Sequence, residues 1–126
     1  MAKKISIAVL VVLLILFAYF QSSYISSSYH DLAEAADRIG GNIGQQDIQK
    51  ANESIDAFGS IWEENSAIWM SLILHEHVDS VYRNYLLMKE YAEKGDLKLA
   101  AVYLKQLEYA LEDVVKLDQT SMKNIF

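Results

Sequence analysis

The stretch YAEKGDLKLAAVYLKQLEYAL, residues 91–111, reads as two helices and the stop between them. Lys94 suits a last helical turn, Gly95 the left-handed position just past a helix end, and Asp96 the N-cap of the next helix. After that cap come Leu97, Ala100, Leu104, Leu107, Leu111 and Val114, at alternating steps of three and four residues. Such steps put all six side chains on one helical face. A link this short makes the two helices antiparallel neighbours, an αα-hairpin. The hairpin is similar to one tetratricopeptide-type unit, yet no repeat of about 34 residues recurs.

Upstream the same periodicity continues. Leu74, Val78, Val81, Tyr85, Met88 and Ala92 form the stripe of the hairpin's first arm. Before it, Ile48, Ala51, Ile55, Phe58 and Trp62 form another, which Asn65 interrupts and Trp69 and Leu72 resume. Heptad-like spacing of this kind marks a helix packed on another helix. Asp47 is placed to cap it. Leu72 to Leu74 is a step of two, so the two stripes lie on different faces. No Gly or Pro marks a turn there. The alternatives are one long helix with two faces and a break near residue 73, and the slip in phase favours the break.

Earlier still, YHDLAEAADRI carries Leu32, Ala35, Ala36 and Ile39 on one face. GGNIG follows, and Gly40 and Gly41 are expected to end that helix in the left-handed cap, with Gly44 as a flexible link. The chain has no Pro to forbid a helix and no Cys, which excludes a disulfide framework, a thiolate zinc site and a cysteine nucleophile.

The beginning changes the class of protein. Lys3 and Lys4 precede ISIAVLVVLLILFAYF, residues 5–20, in which Ser6 is the one polar side chain apart from the phenol of Tyr19. A helix over that run is about 24 Å long, and a bilayer core asks for roughly 20 residues. The span therefore continues into QSSYI, with Tyr19, Phe20 and Tyr24 as an interfacial aromatic belt. No A-x-A pattern follows the apolar run directly, so an uncleaved signal-anchor over residues 1–28 is the expectation, with a helical domain over residues 29–126. Two lysines before the span place the N-terminus in the cytoplasm and the domain outside the cytoplasmic membrane. All 17 Asp and Glu lie beyond the span, against 11 Lys and Arg in the whole chain, so the outer part is more acidic than the overall net charge of −6. That sign repels nucleic acid.

The end of the chain is unusual. SMKNIF closes on Ile125 and Phe126 where chains ordinarily fray into polar residues. Asp118 to Ser121 are expected to leave the last helix. Ile125 and Phe126 are expected to fold back as a plug near the tryptophan-bearing helix, the alternative being an exposed hook for a partner.

Taken in order, these pieces resemble a family of short bacterial proteins, domain of unknown function 4363. The resemblance rests on the basic start and single span, the spaced Trp62 and Trp69, a HExxD-like stretch at His75, Glu76 and Asp79, the EYAEKGD hairpin, the YLKQLEYALEDV helix and the NIF ending. One departure is His77, where the family more often carries an acidic residue. The resemblance implies a single-span helical envelope protein with no assigned activity.

Chemistry-bearing side chains are dense only in LILHEHVDSVYR. On a helix His75 and Asp79 share a face and Glu76 adjoins it, whereas His77 points away. A zinc-protease motif needs a second His where Asp79 stands. The structural reading pairs Asp79 with Arg83 at i, i+4. Trp62, Trp69 and Tyr85 read as packing or interaction residues. No phosphate loop, nucleophile elbow or paired catalytic carboxylates can be pointed to.

These readings converge on an all-α protein: an N-terminal transmembrane helix followed by a small antiparallel helical bundle. The expected function is that of a non-enzymatic interaction module at the cell envelope, without cofactor, bound to a protein partner that is itself a membrane protein in one version. The alternative is a ligand-, metal- or pH-sensing domain built on His75, Glu76 and Asp79.

Overall fold

The computed structural model describes the backbone of residues 2–125 and the side chains of residues 3–120. Four helices and, among those residues, no strand are present: α1 (Ala2–Gly44), α2 (Ile48–Leu72), α3 (His75–Glu93) and α4 (Leu97–Ile125). α1 packs on α2 and α4, and α3 packs on the same two. Short turns join successive helices, so the arrangement is an up-down-up-down four-helix bundle.

Each helix contributes the face its periodicity foretells. α2 buries Ala51, Ile55, Phe58, Trp62 and Trp69, and α3 buries Val78, Val81, Tyr85, Met88 and Ala92. α4 adds Ala100, Leu104, Leu107, Leu111 and Val114. The stripes begin later than expected, because Ile48 is 48% exposed and Leu74 is 68% exposed. On α1 the buried set is Ile25, Ser28, Leu32, Ala35, Ala36 and Ile39. The expected boundary between residues 28 and 29 therefore falls inside α1, and bundle packing reaches back past it. Below Ser22 no described side chain of α1 is buried. Apolar side chains from Ile5 (65% exposed) to Phe20 (72% exposed) touch little of the protein.

α1 does not stop at Gly40. It runs through Gly40 and Gly41 to Gly44, about 65 Å in all at ~1.5 Å per residue. A Cβ on Gly40 would sit 3.6 Å from Leu104 Cδ2, an ordinary contact, so this glycine is at a helix crossing rather than at a cap. The left-handed residue is Gln46, at φ 56. Around it the Asp47 N–H donates to the Asn42 carbonyl at 3.1 Å and the Gln46 N–H to Ile43 at 2.9 Å. That pair of bonds is a Schellman motif.

The turn between α3 and α4 repeats it. Gly95 has φ 80, the Asp96 N–H donates to Tyr91 at 2.9 Å and the Gly95 N–H to Ala92 at 3.0 Å. Each turn then hands over to an aspartate N-cap. Asp47 Oδ1 accepts from the Lys50 N–H at 3.0 Å, and Asp96 Oδ1 from the Leu99 N–H at 3.1 Å.

The α2–α3 turn is different. The helix breaks near residue 73, as the phase slip requires, with Ile73 and Leu74 extended and no side-chain cap. α4 is also longer than the sequence suggests. Its helix continues past Asp118 to Ile125. The amphipathic stripe runs out after Val114, but with no Gly or Pro nothing ends the backbone helix there. The expected plug of Ile125 and Phe126 lies outside the described side chains.

Candidate functional site

Three places in the bundle gather the side chains that carry chemistry or recognition. The first is the junction where α1 enters the bundle. Trp69 Nε1 donates to Ser28 Oγ at 2.7 Å, fully buried, and Ser28 Oγ in turn donates back to the carbonyls of Tyr24 at 2.9 Å and Ile25 at 3.2 Å. Nearby the Tyr24 hydroxyl donates to Asn65 Oδ1 at 2.5 Å. Across the other seam Ser22 Oγ donates to Asp118 Oδ2 at 3.1 Å. These bonds fix α1 against α2 and α4 in one register. Among the described residues no buried side-chain nitrogen or oxygen lacks a partner. Asn65, which interrupts the α2 stripe, is thus half of a polar contact with α1, and Tyr24 is tied into the bundle rather than free for an aromatic belt. Ile25 and Ser28 continue the α1 stripe backwards from Leu32 at steps of three and four, a signal the sequence held and the reading above stopped short of.

The second place is a groove between α2 and α3, the least closely packed of the four seams. Its cleft of about 480 Å³ includes Gly59, Trp62, Met70, Tyr82, Tyr85 and Leu86 in its walls. Trp62 stands edge-to-face to Trp69 at 5.7 Å. Tyr85 stacks on Phe58 at 5.6 Å and on Tyr82 at 6.3 Å. Gly59 lets the Tyr85 ring lie against α2, since a Cβ there would come within 3.0 Å of Tyr85 Cζ. The floor of the groove is therefore buried aromatic. Its rim is mixed: Tyr82 (46% exposed), Leu86 (44%) and Met70 (42%) alternate with Glu63, Ser66, Asp79 and Lys89. Of the residues expected to serve packing or interaction, Trp62 and Tyr85 meet here, and Trp69 belongs to the core.

The third place corrects an expectation. His75, Glu76 and Asp79 project from the first turns of α3, and all three are exposed. Among the described residues no three His, Cys, Asp or Glu side chains stand together in a way that holds a metal ion. Asp79 lines the α2–α3 groove with Glu63 of α2, and among the described residues no third ligand-type side chain joins them. The ion pairs among the described residues are Glu34–Arg38, Asp56–Lys89 and Glu90–Lys94, so the expected Asp79–Arg83 pair is not formed either.

A titratable cluster sits elsewhere, on the α1–α4 seam. Glu108 shares a small surface depression with Tyr29, Asp37 and Glu112. Burial holds the Glu108 carboxyl above the usual carboxylate value, Lys105 opposes the shift, and Asp37 and Glu112 add to it. The Tyr29 phenol is raised by burial and by the carboxylates of Glu112, Asp37 and Glu108. Like charges gathered at one seam are a cost to the fold.

An all-helical bundle whose first helix is long and apolar enough to cross a membrane defines the class: a helical protein with a candidate membrane span. Residues 19–125 match the family described as domain of unknown function (DUF4363), and the chain belongs to that family. The match begins near the end of the apolar run, so it covers the bundle and not the first 18 residues. No curated protein and no solved structure matches the chain.

Proposed function

We propose that the protein is a membrane-anchored, non-enzymatic interaction module whose α2–α3 groove receives an apolar helix from a membrane-bound partner protein. The observation that carries this reading is the groove itself: an aromatic floor of Trp62 and Tyr85 beneath an exposed rim of Tyr82, Leu86 and Met70. Helix-in-groove recognition uses surfaces of this kind, with anchors one and two turns apart. Anchoring is supported by the apolar half of α1, which among the described residues is left exposed. A signal sequence passes the same test of length and composition. The continuity of α1 with Ser22, Ile25 and Ser28 of the bundle favours retention, since removal of the apolar segment cuts into a helix the bundle uses. Lys3 and Lys4 favour a cytoplasmic N-terminus and a bundle on the outer side of the cytoplasmic membrane.

The test is a photocrosslinking amino acid at Tyr82 of the full-length protein in its own membranes, with one at exposed Asp113 on α4 as the comparison. One discrete adduct from Tyr82, absent from Asp113 and lost on Leu86→Asp, is the expected result. No adduct, or the same adducts from both sites, removes the reading. An adduct of twice the chain's mass replaces it with self-association.

A further inference from the structure

The three turns of the bundle differ in chemistry according to the end they occupy. The two turns far from the apolar segment are built of Gln45, Gln46, Asp47 and of Lys94, Gly95, Asp96. Both carry polar side chains, a Schellman motif and an aspartate cap, which is how a turn is made in water. The turn at the opposite end is Leu72, Ile73, Leu74, with no Gly, Asn, Asp or Ser and no side-chain cap. Leu72 and Ile73 are half-buried against the core, and Leu74 is 68% exposed.

Cross-helix hydrogen bonds fix how high that turn stands on α1. Trp69 reaches Ser28 and Asn65 reaches Tyr24, so the two antiparallel backbones are level midway between these pairs, as the turn from Gly44 to Ile48 also requires. α2 descends to Leu72 before the turn, so Ile73 and Leu74 stand near Tyr19 and Phe20 on α1. The apolar run that begins at Ile5 ends at the same level, at Phe20, a length near the lower end of the ~17–25 residues that cross a bilayer.

We infer that the Leu72–Leu74 turn is a membrane-docking tip, seated at the boundary between hydrocarbon and headgroups of the bilayer that holds the chain's own span. The inference rests on the anchored reading proposed above. Continuity of α1 supplies the occupant: no bend or linker separates span from bundle, so the bilayer surface reaches the bundle at the level of this turn. A two-residue apolar turn suits that boundary and suits water poorly. Glu76 and Asp79 on α3 are acidic, so the contact is apolar and does not depend on anionic headgroups. It limits tilt of the bundle and holds the base of the α2–α3 groove, where Met70 lies, next to the bilayer.

The chain has no Cys, so single cysteines report without background. Full-length Leu74→Cys, Leu13→Cys and Lys94→Cys proteins, each labelled with a nitrobenzoxadiazole dye, are reconstituted into phosphatidylcholine vesicles. Quenching by lipid-borne nitroxide is then measured. Leu13 and Lys94 mark the span and the distal turn. Quenching of the Leu74 and Leu13 labels with an unquenched Lys94 label supports the tip. A quenched Leu13 label with an unquenched Leu74 label overturns the tip and leaves the anchor standing. An unquenched Leu13 label overturns the anchor reading itself. Quenching at Lys94 as well as Leu74 overturns the tip in favour of a bundle lying flat on the bilayer. Blue-shifted Leu74 emission without quenching overturns it too, since a second protein surface then covers the turn.

Discussion

Ser28 holds the most consequential polar contact in the bundle, because the buried Trp69 N–H has no other acceptor. Ser28→Ala leaves that donor unpaired in the core, and the expected loss is about 1–3 kcal/mol in thermal or denaturant unfolding of the detergent-solubilised protein. Trp69→Phe in the Ser28→Ala background removes the orphan, so the double variant is expected to lose less than the two single losses added. Gln46 makes the opposite prediction. An L-residue in the left-handed region costs about 1–2 kcal/mol, and glycine's greater freedom in the unfolded chain offsets part of that gain. Gln46→Gly is expected to raise stability by about 0.5–1 kcal/mol in the same assay. At this scale the sequence was legible where a residue type has one use, as with Gly95 and Asp96. It misled at Gly40 and Gly41, because glycine is tolerated inside a helix: Gly40 lies against Leu104, and Gly41 has open space beside it. Nothing in the residue type of Gln46 announces a left-handed conformation.

Helices and their seams carry the next level of argument. The four stripes were legible because burial against neighbouring helices imposes a repeat of three and four on any core helix. Where the stripes met turns, the reading drifted by up to a turn, as Ile48 and Leu74 show. The HExxD-like stretch was the least legible element, since spacing along one helix does not tell whether a second helix brings ligands to it. On the α1–α4 seam the raised Glu108 carboxyl makes a pH prediction. Its folded pKa lies above the unfolded value, so the folded state binds the proton more tightly. The Glu108 contribution therefore favours folding increasingly as pH falls through the folded pKa, and opposes it at neutral pH. Thermal melts from pH 7.5 down to pH 4.5, as round experimental settings, are expected to show this component in the wild-type chain and to lose it in Glu108→Gln (about one carboxyl's worth of pH dependence). Glu108→Gln is also expected to melt higher at pH 7.

For the whole molecule, the decisive fact is that α1 belongs to both the apolar segment and the bundle. Because α1 runs through GGNIG to Gly44, a chain starting at Gly41 is not a complete domain. In the structure such a chain lacks Ile25, Leu32, Ala35, Ala36 and Ile39 and opens one side of the core. Residues 41–126 are expected to give weak, non-cooperative unfolding by circular dichroism, and residues 21–126 a single cooperative transition. Failure of the longer piece would mean that the bundle needs its apolar half to fold. The same unbroken helix has a consequence for aim. An α-helix turns about 100° per residue, so span and groove keep one fixed bearing relative to each other. Deleting a single residue between Phe20 and Ser22 would swing the groove by more than a quarter of a circle while leaving every contact inside the bundle intact. On the anchored reading proposed above, only changes that preserve the length of the juncture keep the groove facing the same direction within the bilayer.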